Sequence, residues 1–369
     1  MPKRALVLSG GGARGAFQIG MLKGLVATIP DLDFDIIHGV SAGAVNAAFL
    51  AQAPLGAAQF AQQVAALERF WTEKIVGNDA VYKERLGGEV AALVAADSLY
   101  DTAPMRALLT QAVDVNKIRN SGRDFEVGAV SLLSGAYIEV RVDPAGSEPQ
   151  DHFITRVMAS AALPPVFPPQ WTDGDFLVDG GMRNITPLGS AINRGAEEIF
   201  ALLTSRVVKE DGELPSNSIE AMGADQWRNN ALGTKVKMMD VFGRSYSILM
   251  DEVYLEDIKR TQKLNVYARA IEQLLPATAA ARRGDPALDG VLKALEGLSK
   301  RRLRLHVIGP DSFFDPGGER GKKDLAINFN ADLIRNAIAA GERVGRDRST
   351  WLWTPEDDDR ELAKAASGR

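Results

Sequence analysis

Hydrophobic positions near the amino terminus change their spacing several times, and each change marks an element. Arg4-Ala5-Leu6-Val7-Leu8 is a short unbroken apolar run, which predicts a buried strand. Ser9 to Ala13 is rich in glycine, and from Arg14 to Ile29 apolar side chains recur at helical spacing (Phe17, Leu22, Leu25, Val26, Ile29) until Pro30-Asp31 ends the helix. Phe34 to Val40 reads as a second strand, with Ser41 at its end, and Ala42 to Gln52 as a small-residue helix. Two strand–tight loop–helix units in succession predict a parallel sheet covered by helices.

Further along, residues 57–112 read as helical throughout, broken near Gly77 and Gly87-Gly88. Phe125 to Leu133 and Tyr137 to Val142 alternate as two strands joined at Ser134-Gly135. His152 to Ala161 predicts a helix, and Pro164-Pro165 and Pro168-Pro169 a stiff loop. Phe176 to Val178 and Ile199 to Thr204 predict short strands. From about Arg206 the character changes. Residues 217–298 read as mostly helical with Pro276 as an interruption, Leu303 to Ile308 returns to strand, and Asp324 to Gly345 is an amphipathic helix before a charged tail. The expected division is an α/β domain over residues 1–205 and a mainly helical extension over 206–369, with one returning strand near 303–308.

Composition narrows the class. The 369 residues supply a sizeable core, and a net charge of −5 argues against nucleic acid as a partner, which would need concentrated Lys and Arg. The densest basic run, Lys300 to Arg304, is broken by Leu303 and reads as a solvated face. With no cysteine there are no disulfides or thiolate metal sites, and no His/carboxylate cluster has ligand spacing. Neither a signal-peptide core nor a membrane span is visible, so the expectation is a cytoplasmic protein that needs no cofactor. The sequon at Asn184-Ile185-Thr186 is then a chance match.

The chemistry concentrates in a few motifs. Gly39-Val40-Ser41-Ala42-Gly43 is a G-x-S-x-G pattern between strand and helix, where a serine on a sharp turn needs neighbours without a Cβ. The turn sets its hydroxyl at the positive end of a helix. Ser9-Gly10-Gly11-Gly12-Ala13-Arg14-Gly15 can turn several N–H groups into one concavity for an anion, which in acyl transfer is the tetrahedral oxyanion. Gly10, Gly12 and Gly15 equally match the dinucleotide fingerprint G-x-G-x-x-G, with Asp33 and Asp35 near the distance of a ribose-binding acid. The loop alone does not separate the two readings; the serine turn after the second strand favours acyl transfer.

A serine nucleophile needs a base. Of three histidines, His38 lies inside the strand before Ser41, His152 opens a helix upstream of Asp179, and His306 alternates on what reads as the exposed face of a late strand. That scarcity points to a two-residue Ser/Asp device, with Asp179-Gly180-Gly181 as its acid. Ala159 to Pro169, small residues running into prolines, reads by itself only as a rigid connector. Val236 to Tyr254 places Met239, Phe242, Tyr246, Met250 and Val253 near one helical face, core or a lid over an acyl chain, and Phe313-Phe314 is either a buried anchor or a membrane-touching loop.

At these residues the sequence resembles the patatin-like phospholipase family, over roughly residues 4–205. The resemblance rests on Gly10-Gly11-Gly12-Ala13-Arg14-Gly15, Gly39-Val40-Ser41-Ala42-Gly43-Ala44, the Ala-Ser…Pro…Phe-Pro stretch at 159–168, and Asp179-Gly180-Gly181, in the family's order. Asn328-Phe329 through Gly341 is more weakly similar to a carboxyl-terminal helix of some bacterial members. The resemblance implies a three-layer α/β/α fold with a mainly parallel sheet and an added helical region. It implies a Ser41–Asp179 dyad hydrolysing acyl esters of phospholipids or other lipids, and transient contact with a membrane surface. It also implies an oxyanion hole from Gly10, Gly11 and Gly12, with Arg14 organising the loop and the Ala42 N–H as a further donor. The remaining alternatives are a non-catalytic lipid-binding scaffold of the same fold and a dinucleotide-binding oxidoreductase.

Overall fold

The computed structural model describes residues 2–85, 96–205, 207, 256–276, 286–299, 302–310 and 327–367. Its centre is an eight-stranded sheet. Strands β1 (Arg4–Leu8) and β2 (Ile36–Val40) pair in parallel, and the two-residue strands β3 (Lys83–Glu84) and β4 (Tyr100–Asp101) form a separate ladder. Into the main sheet come β5 (Asp124–Ser131), β6 (Tyr137–Arg141), β7 (Gln170–Thr172), β8 (Asp175–Asp179), β9 (Glu198–Leu202) and β10 (Arg304–Ile308). The order is β10-β9-β1-β2-β5-β8-β7, with β6 also on β5; the run from β10 to β5 is parallel, whereas β6, β7 and β8 are antiparallel additions. Strand β10 thus completes the sheet from far along the chain.

Alternation divides the sheet into two cores. Leu6, Leu8, Ile37, Phe125, Val127 and Ala129 face one side, and Ala5, Val7, Ile36, Ile199, Ala201 and Val307 the other. The first side is covered by α1 (Gly15–Thr28), α2 (Ala42–Leu50) and α3 (Ala57–Arg69). Beyond them α4 (Ala103–Ala112), α5 (Val115–Arg119) and α6 (Gln150–Ser160) contribute Leu109, Ile118 and Phe153. The second side is covered by α7 (Leu188–Asn193) and by Ile258 of a helix over 256–276, α8. Helices on both faces of a mainly parallel sheet agree with the patterning, and make the three-layer α/β/α architecture that the family resemblance implies.

Among the carboxyl-terminal helices α9 (Pro286–Ser299), α10 (Ala331–Arg346) and α11 (Pro355–Ser367), α10 lies directly on α1. The contact is backbone on backbone. A Cβ on Gly20 would stand 2.0 Å from the Ile338 carbonyl oxygen, and one on Gly341 would stand 2.2 Å from that of Phe17. Gly24 and Gly345, one turn on, meet the Glu342 and Met21 carbonyls in the same way.

Several expectations need correction. Residues 57–112 are not helical throughout: β3 and β4 intervene between α3 and α4, because Tyr82 and Leu99 are drawn into the core while Lys83 and Glu84 stay outside. The late helix starts at Ala331 rather than Asp324, where the Asn330 side chain caps the N–H groups of Asp332 and Leu333. His306 is not exposed but buried, stacked on Phe200 with ring centroids 4.3 Å apart and its Nε2 3.2 Å from Glu198. Arg302 and Arg304 are held by Asp358 and Glu198 rather than standing as a free basic face. Val236 to Tyr254 and Phe313-Phe314 lie outside the described residues.

A Gly341→Val variant is expected to lose about 1–3 kcal/mol or more of stability, since neither backbone can give way to the added methyls. Urea unfolding measures this, and an unchanged midpoint would refute the close crossing of α1 and α10.

Candidate active site

The register of β5 sets the geometry. β5 uses one edge to pair with β6 over Glu126 to Val130 and the other to pair with β2 over Asp124 to Gly128. Beyond that point the second edge pairs with β8, with Ala129 opposite Asp179. So β2 and β8 run toward each other along one edge and meet end to end, Val40 opposite Gly128 and Asp179 opposite Ala129. Ser41, the next residue after β2, therefore comes against Asp179, although 138 positions separate them in the chain (179 − 41).

Ser41 turns the chain from β2 into α2 at φ +57°, ψ −125°, a conformation costly for any residue with a side chain. The turn exists because its neighbours lack side chains: a Cβ on Gly39 would lie 2.3 Å from the Gly43 carbonyl oxygen, and one on Gly43 2.3 Å from that of Leu8. The Ser41 N–H donates to Ser160 Oγ at 3.1 Å, and the buried Ser160 hydroxyl donates in turn to the Gly128 carbonyl at 2.5 Å. Two residues on, the Ala162 carbonyl accepts the Asp179 N–H at 3.0 Å. The segment read as a rigid connector thus anchors the backbones of both residues.

Asp179 is buried, 3% exposed. Its Oδ1 accepts the Gly181 N–H at 2.8 Å. Burial pushes its pKa up to about 7, against the opposing pull of the nearby Ser41 hydroxyl and the Gly181 N–H. A carboxylate poised near neutrality against a serine hydroxyl is what proton abstraction requires.

The glycine loop borders the pair, with Gly10 so near that a Cβ on it would lie 3.0 Å from Ser41 Cβ. Its N–H groups are not equivalent. Gly10 N–H, which the sequence reading gives as an oxyanion donor, donates here to the Ile185 carbonyl at 3.2 Å. Gly11, Gly12 and Ala42 have no acceptor for their N–H groups among the described residues. In a trans peptide the N–H points opposite to the preceding carbonyl, so whatever holds that carbonyl aims the N–H. The Thr204 hydroxyl donates to the Gly10 carbonyl, and Arg14 Nε donates to the Gly11 carbonyl at 3.4 Å while its Nη1 reaches Ser205 at 3.1 Å. Arg14 and Thr204 therefore orient the Gly12 and Gly11 N–H groups. Thr204 had no signal in the sequence, since only the β9–β1 pairing brings it to the loop.

Beneath the loop runs a buried polar chain that short-range patterns do not reveal. Gln18 Nε2 donates to the Ser9 and Leu202 carbonyls at 2.9 and 3.0 Å, Asn46 Nδ2 to Gln18 Oε1 at 3.0 Å, and Trp71 Nε1 to Asn46 Oδ1 at 2.9 Å. It ties the glycine loop to α1 and α2.

The histidines stand elsewhere. His38 is buried between Asp124 and Glu126, 3.9 Å from each; His152 pairs with Glu148 and Asp173 at the surface; His306 belongs to the Glu198 cluster. There Glu198, despite burial, is held at about 2 by hydrogen bonds from His306 and Arg4. The dinucleotide reading loses its acid: Asp33 is paired with Arg123 at 2.7 Å and Asp35 Oδ2 accepts the Arg4 N–H at 2.8 Å, at the opposite end of the strands from the glycine loop. A groove of about 770 Å³, lined by Gln52, Gln59, Gln63, Ala112 and Asn116, opens at the far end of α2 from Ser41. Among the described residues no group of three His, Cys, Asp or Glu could hold a metal ion, and no helix is long and apolar enough to cross a membrane.

Comparison with known proteins gives a consistent assignment. The family model described as patatin-like phospholipase matches residues 6–192. Patatin-like phospholipase domain-containing protein 7 of Rattus norvegicus is 26% identical over 246 residues, 64% of this chain and 16% of that protein. Patatin-like phospholipase domain-containing protein 6 of Homo sapiens is also 26% identical over 246 residues, with the same coverage. The chain thus spans about 16% of the length of these relatives. Among solved structures, VipD from Legionella pneumophila covers 93% of this chain and 66% of its own at 11% identity, with a TM-score of 0.32, too loose a likeness to bear on the site.

Ser160→Ala is expected to cost about 1–3 kcal/mol, because it strands the Ser41 N–H and the buried Gly128 carbonyl at once. A denaturation midpoint equal to that of the parent would count against Ser160 as the anchor of the turn.

Proposed function

The chain belongs to the patatin-like phospholipase family, and from that premise we propose that it is a lipid acyl hydrolase in which Ser41 is the nucleophile and Asp179 the base. The observation that carries the reading is the end-to-end meeting of β2 and β8, which sets Ser41 against the buried Asp179 beside uncommitted N–H groups. Ser41 Oγ attacks the ester carbonyl carbon and gives its proton to Asp179, and the carbonyl electron pair moves onto oxygen. The N–H groups of Gly11, Gly12 and Ala42 receive that oxyanion, the last at the amino end of α2 where the helix dipole adds to it. When the tetrahedral centre collapses, the ester C–O bond breaks and the departing alcohol oxygen takes the proton from Asp179. Water then attacks the acyl-serine, giving its proton to Asp179, and the fatty acid leaves as Ser41 regains its proton. A single carboxylate suffices because its raised proton affinity lets it accept and return the proton near neutral pH. A non-catalytic scaffold would have no need of a strained Ser41 or a buried Asp179 outside any ion pair among the described residues, both of which cost stability.

Ser41→Ala and Asp179→Asn are each expected to lower kcat/KM on a short-chain p-nitrophenyl ester by at least about 10³-fold. Activity retained by either variant refutes the dyad. For the parent protein, kcat/KM should rise with pH through a midpoint of about 7 as Asp179 ionises; a flat profile across that region contradicts the assignment. The same shift affects folding. Burial raises the proton affinity of Asp179, so stability falls as pH rises from its ordinary value of 3.8 to about 7. Asp179→Asn should therefore raise Tm above pH 7, and the gain should vanish below the unfolded value.

Thr204→Val removes the hydroxyl that turns the Gly10 carbonyl. It should lower kcat by roughly 10–100-fold with little change in KM, because a misaimed N–H matters most when the oxyanion forms. A change confined to KM would oppose that role.

A further inference from the structure

An apolar patch stands on the rim of the sheet beside the catalytic pair, and the reaction does not use it. Leu132, Leu133, Trp171, Phe176 and Met182 are 55%, 83%, 61%, 46% and 40% exposed. The first four form one surface. Trp171 and Phe176 are register partners across β7 and β8 with ring centroids 4.8 Å apart. The Leu132 N–H donates to the Phe176 carbonyl at 2.9 Å, and the Leu133 N–H to Asp175 Oδ1 at 3.2 Å. The Arg183 guanidinium, next to Met182, lies 3.4 Å from where a Cβ on Gly135 of the same turn would be. Single exposed apolar residues are ordinary, but a joined group of Trp, Phe and two Leu marks an interaction surface.

Its position follows from the register. β5 continues past the carboxyl end of β2, β8 pairs with that overhang and β7 with β8, so the hairpin and the β5–β6 turn rise above the level of Ser41. Phe176 precedes Asp179 by three residues on one strand, about 10 Å. The charge pattern selects the partner. Asp175 is held by Ser131 and Leu133, and Asp173 by His152 and Arg156; Arg106 is taken up by Gln170 of β7, which leaves Arg183 exposed. Among the described residues no cluster of free Lys and Arg stands here to attract anionic headgroups. Exposed Trp and Leu with a single free Arg beside them suit an interface of acyl chains and neutral headgroups.

We propose that this patch docks the protein on a zwitterionic or uncharged lipid surface, with Ser41 set over the esters of that surface. The inference rests on the lipid-ester reading of the site, and names the surface by which that site meets its substrate.

The test separates docking from catalysis. In a Ser41→Ala background, the protein should float with pure phosphatidylcholine vesicles, and adding phosphatidylglycerol should not tighten the association. The triple variant Leu133→Ser/Trp171→Ser/Phe176→Ser in that background should bind roughly tenfold more weakly or less. With Ser41 intact, the triple variant should keep hydrolysis of a dispersed p-nitrophenyl ester while losing it on the vesicles. Failure to float, equal flotation of both proteins, or binding only to anionic vesicles would overturn the proposal. So would equal loss of activity on the dispersed ester, which would mean a damaged fold. A lipid-free dimer that the triple variant dissociates would assign the patch to a second copy of the chain instead. Patch-dependent flotation without any ester hydrolysis by the parent would leave docking standing and remove the catalytic reading.

Discussion

Everything at the site depends on one strand having an edge long enough for two partners. β5 is eight residues long, and β2 covers only the first part of its edge. β8 enters from the opposite direction and takes the rest, so the end of one strand faces the end of the other. That meeting brings a hydroxyl and a carboxylate together without a histidine between them. It also explains why the antiparallel part of the sheet is not ornamental: a parallel β8 would carry its final residue away from Ser41.

The arrangement is stabilising nowhere locally. Ser41 holds a left-handed backbone, and Asp179 is a carboxyl taken out of water with few partners. Such costs persist only where surrounding contacts over-determine the geometry. Here the supports are the Ser160 bridge to Ser41 and Gly128, the Ala162 carbonyl on Asp179, and the Gln18–Asn46–Trp71 chain under the glycine loop. The glycine-to-glycine crossing of α1 and α10 braces the helix that follows that loop.

The parts of the site that sequence revealed are those whose chemistry is local. Gly39 and Gly43 are needed within a few residues of Ser41, the glycine run is contiguous, and Asp179 carries its own glycines, so each motif could be read where it stood. What escaped depends on distant partners. Nothing near Gly10 shows that Ile185 takes its N–H, and nothing near Thr204 shows that it turns the Gly10 carbonyl. For His306, alternation with arginines suggests an open face, whereas a parallel strand is covered on both sides; Trp351 closes over it with ring centroids 5.6 Å apart. β7 is only three residues long and has no period to detect, so the surface pair of Trp171 and Phe176 was equally invisible.

The central claim is that Ser41 and Asp179 meet under N–H groups aimed by Thr204 and Arg14. The most direct measurement is a crystal structure of the protein inactivated by a fluorophosphonate, whose tetrahedral phosphorus stands in for the attacked carbonyl carbon. The account predicts phosphorus bonded to Ser41 Oγ and its free oxygen held by the Gly11 and Gly12 N–H groups, with Gly10 N–H still on Ile185. Phosphorus on another residue, or an oxygen turned away from the glycine loop, would contradict it.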